Sequence, residues 1–119
     1  MKIFESELRI LDILWRFGPL SASETAKRAE AEYGWSVTTT YTVIKKCISK
    51  KLVRREDPGF LCQPLVTRHQ VQADEAQTLL GRLFNGKIDC LVASLASENS
   101  ITADEIENLK KIIEDYEAK

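Results

Sequence analysis

A mostly helical fold in two parts is what this sequence of 119 residues predicts, and three observations predict it. Helical periodicity recurs along most of the chain, one Asp57-Pro58-Gly59 turn sits between two short strand-like segments, and basic residues crowd in just ahead of that turn. Helices followed by a hairpin is the order of a winged helix-turn-helix, whose third helix is the one that enters the major groove. The expected architecture is therefore a winged helix-turn-helix DNA-binding domain over residues 1–70 and a C-terminal helical dimerisation domain over residues 71–119.

The first helix is expected from about Phe4 to Phe17, with Leu8, Leu11, Ile13, Leu14, Trp15 and Phe17 supplying its apolar surface. Gly18 and Pro19 stop it. Ser21 and Glu24 have the spacing of a capping box for a second helix through about Glu32, and Ala22, Ala26 and Ala29 are its small inner residues. Gly34 ends that helix, and Ser36 or Thr38 can cap the third. Leu52 to Glu56 and Phe60 to Val66 read as the two strands of a wing.

The stretch from Trp35 to Arg55 carries the candidate chemistry. At a helical period Val43, Ile44, Cys47 and Ile48 form an inward stripe, while Thr38, Tyr41, Thr42, Lys45 and Ser49 face the other way. Lys45, Lys46, Lys50, Lys51, Arg54 and Arg55 place six positive charges in eleven residues with no acid among them, a surface suited to phosphate oxygens. Thr and Tyr hydroxyls add donors for phosphates and base edges. The candidate DNA-contacting residues are Thr38, Thr39, Tyr41, Thr42, Lys45 and Lys46, joined by Arg54 and Arg55 beside the wing's tip. A charge run on a helix is more often only a solvated face, and its place ahead of a wing is what favours DNA here.

Thr67 can cap a long helix to about Phe84, a further helix runs from about Lys87 to Ser97, and Thr102 with Glu105 opens the last one. These segments have too little chain around them to bury their apolar stripes, so they fold back on the first domain or pair with a second subunit. Leu91, Leu95, Ile106, Leu109 and Ile113 are the expected dimer interface.

Charge divides the same way. Residues 1–72 carry twelve Lys/Arg and eight Asp/Glu, whereas residues 73–119 carry five and ten, within an overall charge of −1. No apolar run is long enough to span a bilayer, and the opening residues lack the pattern of a signal peptide, so a cytoplasmic location without membrane insertion is expected. Cys47, Cys62 and Cys90 are odd in number and widely spaced, and His69 is the single histidine, so neither a disulfide framework nor a metal site is expected. With one histidine, no phosphate-binding glycine loop and no paired nucleophile, no enzyme and no cofactor is expected.

ESELRILDILWRFGPLSASE, WSVTTTYTVIKKCISKKLVRRE and GFLCQPLVTR, in this order, resemble the penicillinase-repressor family, the BlaI/MecI/CopY group. Glu7, Trp15, Gly18, Pro19, Trp35, Thr39, Thr42, Val43 and Lys45 match the family's pattern, as do Pro64-Leu65-Val66-Thr67-Arg68 after the wing and FNGKIDCLVASLA with ITADEIENLKKII in the C-terminal part. The resemblance implies a homodimer that binds palindromic operator DNA and represses transcription, with a membrane sensor or protease as a further partner. The staphylococcal members are cut at an Asn-Phe bond, where this chain has Ser94-Leu95, and the CxC pair of copper-responsive members is absent. Lys51 stands where the family commonly has glycine. The competing reading is a winged helix used as a protein-interaction module, its basic face docking an acidic partner without sequence-specific DNA binding.

Overall fold

The structure, a computed structural model, describes residues 2–119. In chain order the elements are α1 (Glu5–Phe17), β1 (Leu20–Ser21), α2 (Ala22–Tyr33), α3 (Val37–Ser49), β2 (Val53–Glu56), β3 (Leu61–Pro64), α4 (Arg68–Leu83), α5 (Ile88–Ser97) and α6 (Ala103–Glu117). The fold is the expected winged helix, mostly α with one small sheet. Two units divide the chain, with the boundary inside α4, between Asp74 and Glu75.

Hydroxyl side chains begin most of the helices, because the first N–H groups of a helix have no partner within it. Ser21 Oγ accepts from the Glu24 N–H at 3.0 Å, Ser36 Oγ from Thr39 at 3.1 Å and Thr67 Oγ1 from Gln70 at 3.0 Å. The reciprocal half of the expected box at α2 is not made: the Glu24 carboxylate lies 3.7 Å from Arg28 instead. At α6 both halves form, with Thr102 Oγ1 accepting from Glu105 at 3.1 Å and Glu105 Oε1 accepting from Thr102 at 2.8 Å. Those hydrogen bonds to Thr102 hold the Glu105 carboxyl below its ordinary range.

In the first unit, Ile10, Leu11 and Leu14 of α1 meet Ala22, then Val43, Ile44 and Cys47 of α3, then Leu52, Val53 and Cys62 of the hairpin. Ile10, absent from the expected stripe, is fully buried, whereas Phe17 is 43% exposed with the Arg28 guanidinium 3.8 Å over its ring. Helical phase puts Ile10 on the buried stripe with Ile13 and Leu14; Phe17 shares that phase but is the last residue of α1 and lies past the end of the core.

The sheet is antiparallel in the order β1-β3-β2. β1 is new relative to the sequence reading, because two residues are too short to show alternation. Its pairing of Leu20 with Cys62 ties the hairpin to the α1–α2 connection, and the Ala22 N–H donates to the Phe60 carbonyl at 2.9 Å. The Trp15 indole N–H donates to the Val66 carbonyl at 2.9 Å, and Arg68 pairs with Asp12 at 2.9 Å, so the chain leaving the wing is fastened to α1.

The second unit holds the end of α4, α5 and α6, and neither α5 nor α6 buries a residue. No helix of the described residues is long and apolar enough to cross a membrane.

The helices α1, α2 and α3 each leave by a residue of positive φ, α1 at Gly18, φ 81°. α2 does so at Gly34, φ 71°, where no Cβ is strained; α3 does so at Lys51, φ 62°, where one is. Replacing Lys51 by glycine is expected to raise the free energy of unfolding by about 0.5–1 kcal/mol, part of the relief being offset by the freer unfolded chain. Urea titration of the two proteins measures it, and a destabilised variant contradicts the strain.

Candidate nucleic-acid interface

Thr40, Val43, Ile44 and Cys47 are the buried side of α3, and they fix which side is left outward. Thr38, Thr39, Thr42, Lys45, Lys46 and Ser49 are exposed. Tyr41 is only half-buried on the flank, and its ring meets the edge of Phe60 with centroids 5.9 Å apart. The Arg55 guanidinium lies 3.8 Å over the same Phe60 ring, so Tyr41, Phe60 and Arg55 join α3 to the wing as a stack.

One candidate hydroxyl, that of Thr42, differs from the expectation of an added donor. Thr40 Oγ1 donates to the Ser36 carbonyl and Thr42 Oγ1 to the Thr38 carbonyl, each at 3.0 Å, and Ser36 Oγ donates to Thr39 Oγ1 at 3.0 Å. Back-bonding of this kind is the ordinary local competition of Ser and Thr with the helix ladder.

The basic run is also less uniform than its sequence. Lys50 turns inward: its ammonium is 2.6 Å from Glu7 Oε1, 3.1 Å from the Lys2 carbonyl oxygen and 4.3 Å from the centre of the Phe4 ring. Glu7 is 1% exposed, so Lys50 neutralises a buried carboxylate and is subtracted from the outward charge.

On β2, side-chain alternation sends Arg54 and Arg55 to opposite faces. Arg55 is opposite buried Cys62 and pairs with Asp57 at 3.2 Å; Arg54 pairs with Glu56 on the other face. The acids that neutralise the wing begin one residue beyond the acid-free run. Among the described residues, Lys45, Lys46 and Lys51, with Lys27 of α2, carry no carboxylate partner and supply the unpaired positive charge of this side.

Burial pushes the Cys47 thiol up to about 12, with Glu7 adding to the effect, and pushes Cys62 up to about 11 despite Arg55. Both are inert core residues, and no group of His, Cys, Asp and Glu among the described residues is placed to hold a metal.

In the second unit Leu91, Leu95 and Leu109 line a cavity of about 400 Å³ together with Ile88, Val92 and Ile112. Ile106 and Ile113, expected in the same interface, are outside this lining and 43% and 56% exposed. Ile88, Ile112 and Tyr116 are more exposed still, at 65%, 62% and 74%, and stand outside the expected interface set. Ser94-Leu95 lies inside α5, continuous helix on both sides.

The family model for the penicillinase repressor matches residues 3–115. This chain belongs to the penicillinase repressor family. The family consists of transcriptional repressors and not of enzymes. A penicillinase repressor of Bacillus licheniformis is 21% identical over 117 residues, covering 97% of this chain and 91% of that one. The methicillin resistance regulatory protein MecI of Staphylococcus aureus (strain N315) is 22% identical over 114 residues, covering 94% and 93%. The solution structure of the DNA binding domain of the repressor BlaI shares the fold, with a TM-score of 0.53 at 22% identity over 56% of this chain and 84% of that one.

For this family member, the inward Lys50 carries a stability consequence. Lys50→Met leaves Glu7 buried without its counter-charge, and a loss of about 3 kcal/mol in unfolding free energy is expected. Lys46→Met, at an exposed position with no partner, is expected to change stability by less than about 0.5 kcal/mol. Paired denaturant titrations compare them, and equal effects would remove the structural role assigned to Lys50.

Proposed function

We propose that the protein is a homodimeric winged-helix repressor that binds palindromic operator DNA through the outward face of α3. The observation that carries this reading is the side of α3 bearing Thr38, Thr42 and Lys45, held outward by the buried stripe opposite, in a chain of a repressor family. Thr39 and Lys46 flank that face, Tyr41 sets its distance from the wing, and Arg55 rather than Arg54 sits on the wing face nearest α3. Lys45, Lys46 and Lys51 meet phosphates and supply affinity, while the hydroxylated middle meets base edges.

A two-fold partner is supported by the apolar faces of α5 and α6, on which Leu91, Val92 and Leu109 are only half-buried and no residue is fully buried within the chain. Leu91, Leu95 and Leu109 lead this interface, with Ile106 and Ile113 beside them and Ile88, Ile112 and Tyr116 added. Two recognition helices related by that axis require half-sites about one helical turn, roughly 10 base pairs, apart. Repression in the cytoplasm, relieved by a membrane sensor or protease, completes the reading by resemblance.

In vitro selection of duplex DNA at near-physiological salt, with light scattering in the same buffer, tests the whole. A palindrome recovered by a dimer is expected; salt-sensitive binding without sequence preference would instead favour docking to an acidic protein. Lys46→Ala is expected to weaken all sequences alike and to lower the slope of log affinity against log salt by about one. Leu109→Asp is expected to give a folded monomer with much weaker operator binding, and a dimer of unchanged mass would remove Leu109 from the interface.

A further inference from the structure

The outward side of α3 is hydroxylated and basic except where the helix begins. Val37 is the first residue of α3 and is 54% exposed, although its phase matches buried Ile44 seven residues on. The core stops short of the helix start, and the side chain projects past it. With Tyr41 one turn further, Val37 walls a cleft of about 200 Å³ between α2 and α3, closed on the other side by Ser23, Ala26, Lys27 and Glu30. The wall carries one carboxylate, Glu30, against one ammonium, Lys27, so the cleft has no net positive charge with which to seat a phosphate oxygen. A base edge fits better, and among base edges in the major groove only thymine presents a methyl group to an apolar wall.

The residues at the start of a recognition helix are the ones that reach base edges. We propose that Val37 is a specificity-determining residue that packs against the C5-methyl group of a thymine in each half-site, with Ala26 and the Tyr41 ring as the rest of the apolar wall. The proposal rests on the DNA-binding reading above. It adds to the hydroxyl and lysine contacts one apolar contact that discriminates thymine from cytosine.

The test uses the full-length protein and the duplex recovered by selection. Each thymine is replaced in turn by deoxyuridine, which removes the methyl group and nothing else, and binding is measured at one salt concentration for the wild type, Val37→Ala and Val37→Ser. At one thymine per half-site the wild type is expected to lose about three- to fivefold in affinity, the scale of one buried methyl group. Both variants are expected to bind the thymine duplex more weakly by a similar factor and to be indifferent to uridine at that position, with unchanged thermal midpoints because Val37 supports no core. If no methyl matters, or if the uridine loss persists undiminished in the variants, Val37 is not the reader while sequence-selective binding, and the repressor reading with it, stands. If selection recovers no preferred sequence, both readings fall together.

Discussion

A carboxylate cut off from water has to be answered inside the molecule, and Glu7 imposes that requirement on the first unit. One oxygen of Glu7 accepts from both the Phe4 N–H and the Lys50 ammonium, which fastens the first turn of α1 to the last turn of α3. The Cys47 thiol lies 4.0 Å from the Glu7 carbonyl oxygen, so the junction is close-packed as well as charged. From there the chain has little freedom. Leu52 donates to the Cys47 carbonyl at 2.9 Å, Leu65 donates to Leu52 at 2.8 Å, and the wing springs from that fixed point. Trp15 holds the other end of the wing, so the presenting helix and the hairpin beside it are both referred to α1.

Periodic features were legible in the sequence because burial repeats with the helix. The stripe of Val43, Ile44 and Cys47 and the exposed Thr38, Thr42 and Lys45 follow from spacing alone, as do the caps at Ser21, Thr67 and Thr102, while at α3 spacing left Ser36 and Thr38 open and Ser36 is the cap. What spacing does not carry is a partner far away in the chain. Lys50 looks like its basic neighbours until Glu7, 43 residues earlier, is brought beside it. Arg54 and Arg55 look equivalent until a strand turns them to opposite faces. β1 is legible only through its partner strand, and Val37 is in phase with the core yet lies beyond its end.

Self-pairing within the wing concentrates unpaired charge on the helices. With Arg54 and Arg55 held by Glu56 and Asp57, positive potential on this side comes from α3, its exit and Lys27. The second unit is unsatisfied in a different currency, with apolar side chains left in the open. One chain thus carries two surfaces of unlike chemistry, one charged and one apolar.

Thr42 adds a constraint of its own. Its hydroxyl proton is committed to the Thr38 carbonyl, so what it turns outward is a lone pair. Phosphate oxygens have nothing to offer a lone pair, whereas the exocyclic amino groups of adenine and cytosine do. On the proposed reading of α3 as the DNA-facing helix, its most central hydroxyl is thereby withheld from the sequence-blind part of binding and left to discriminate among bases.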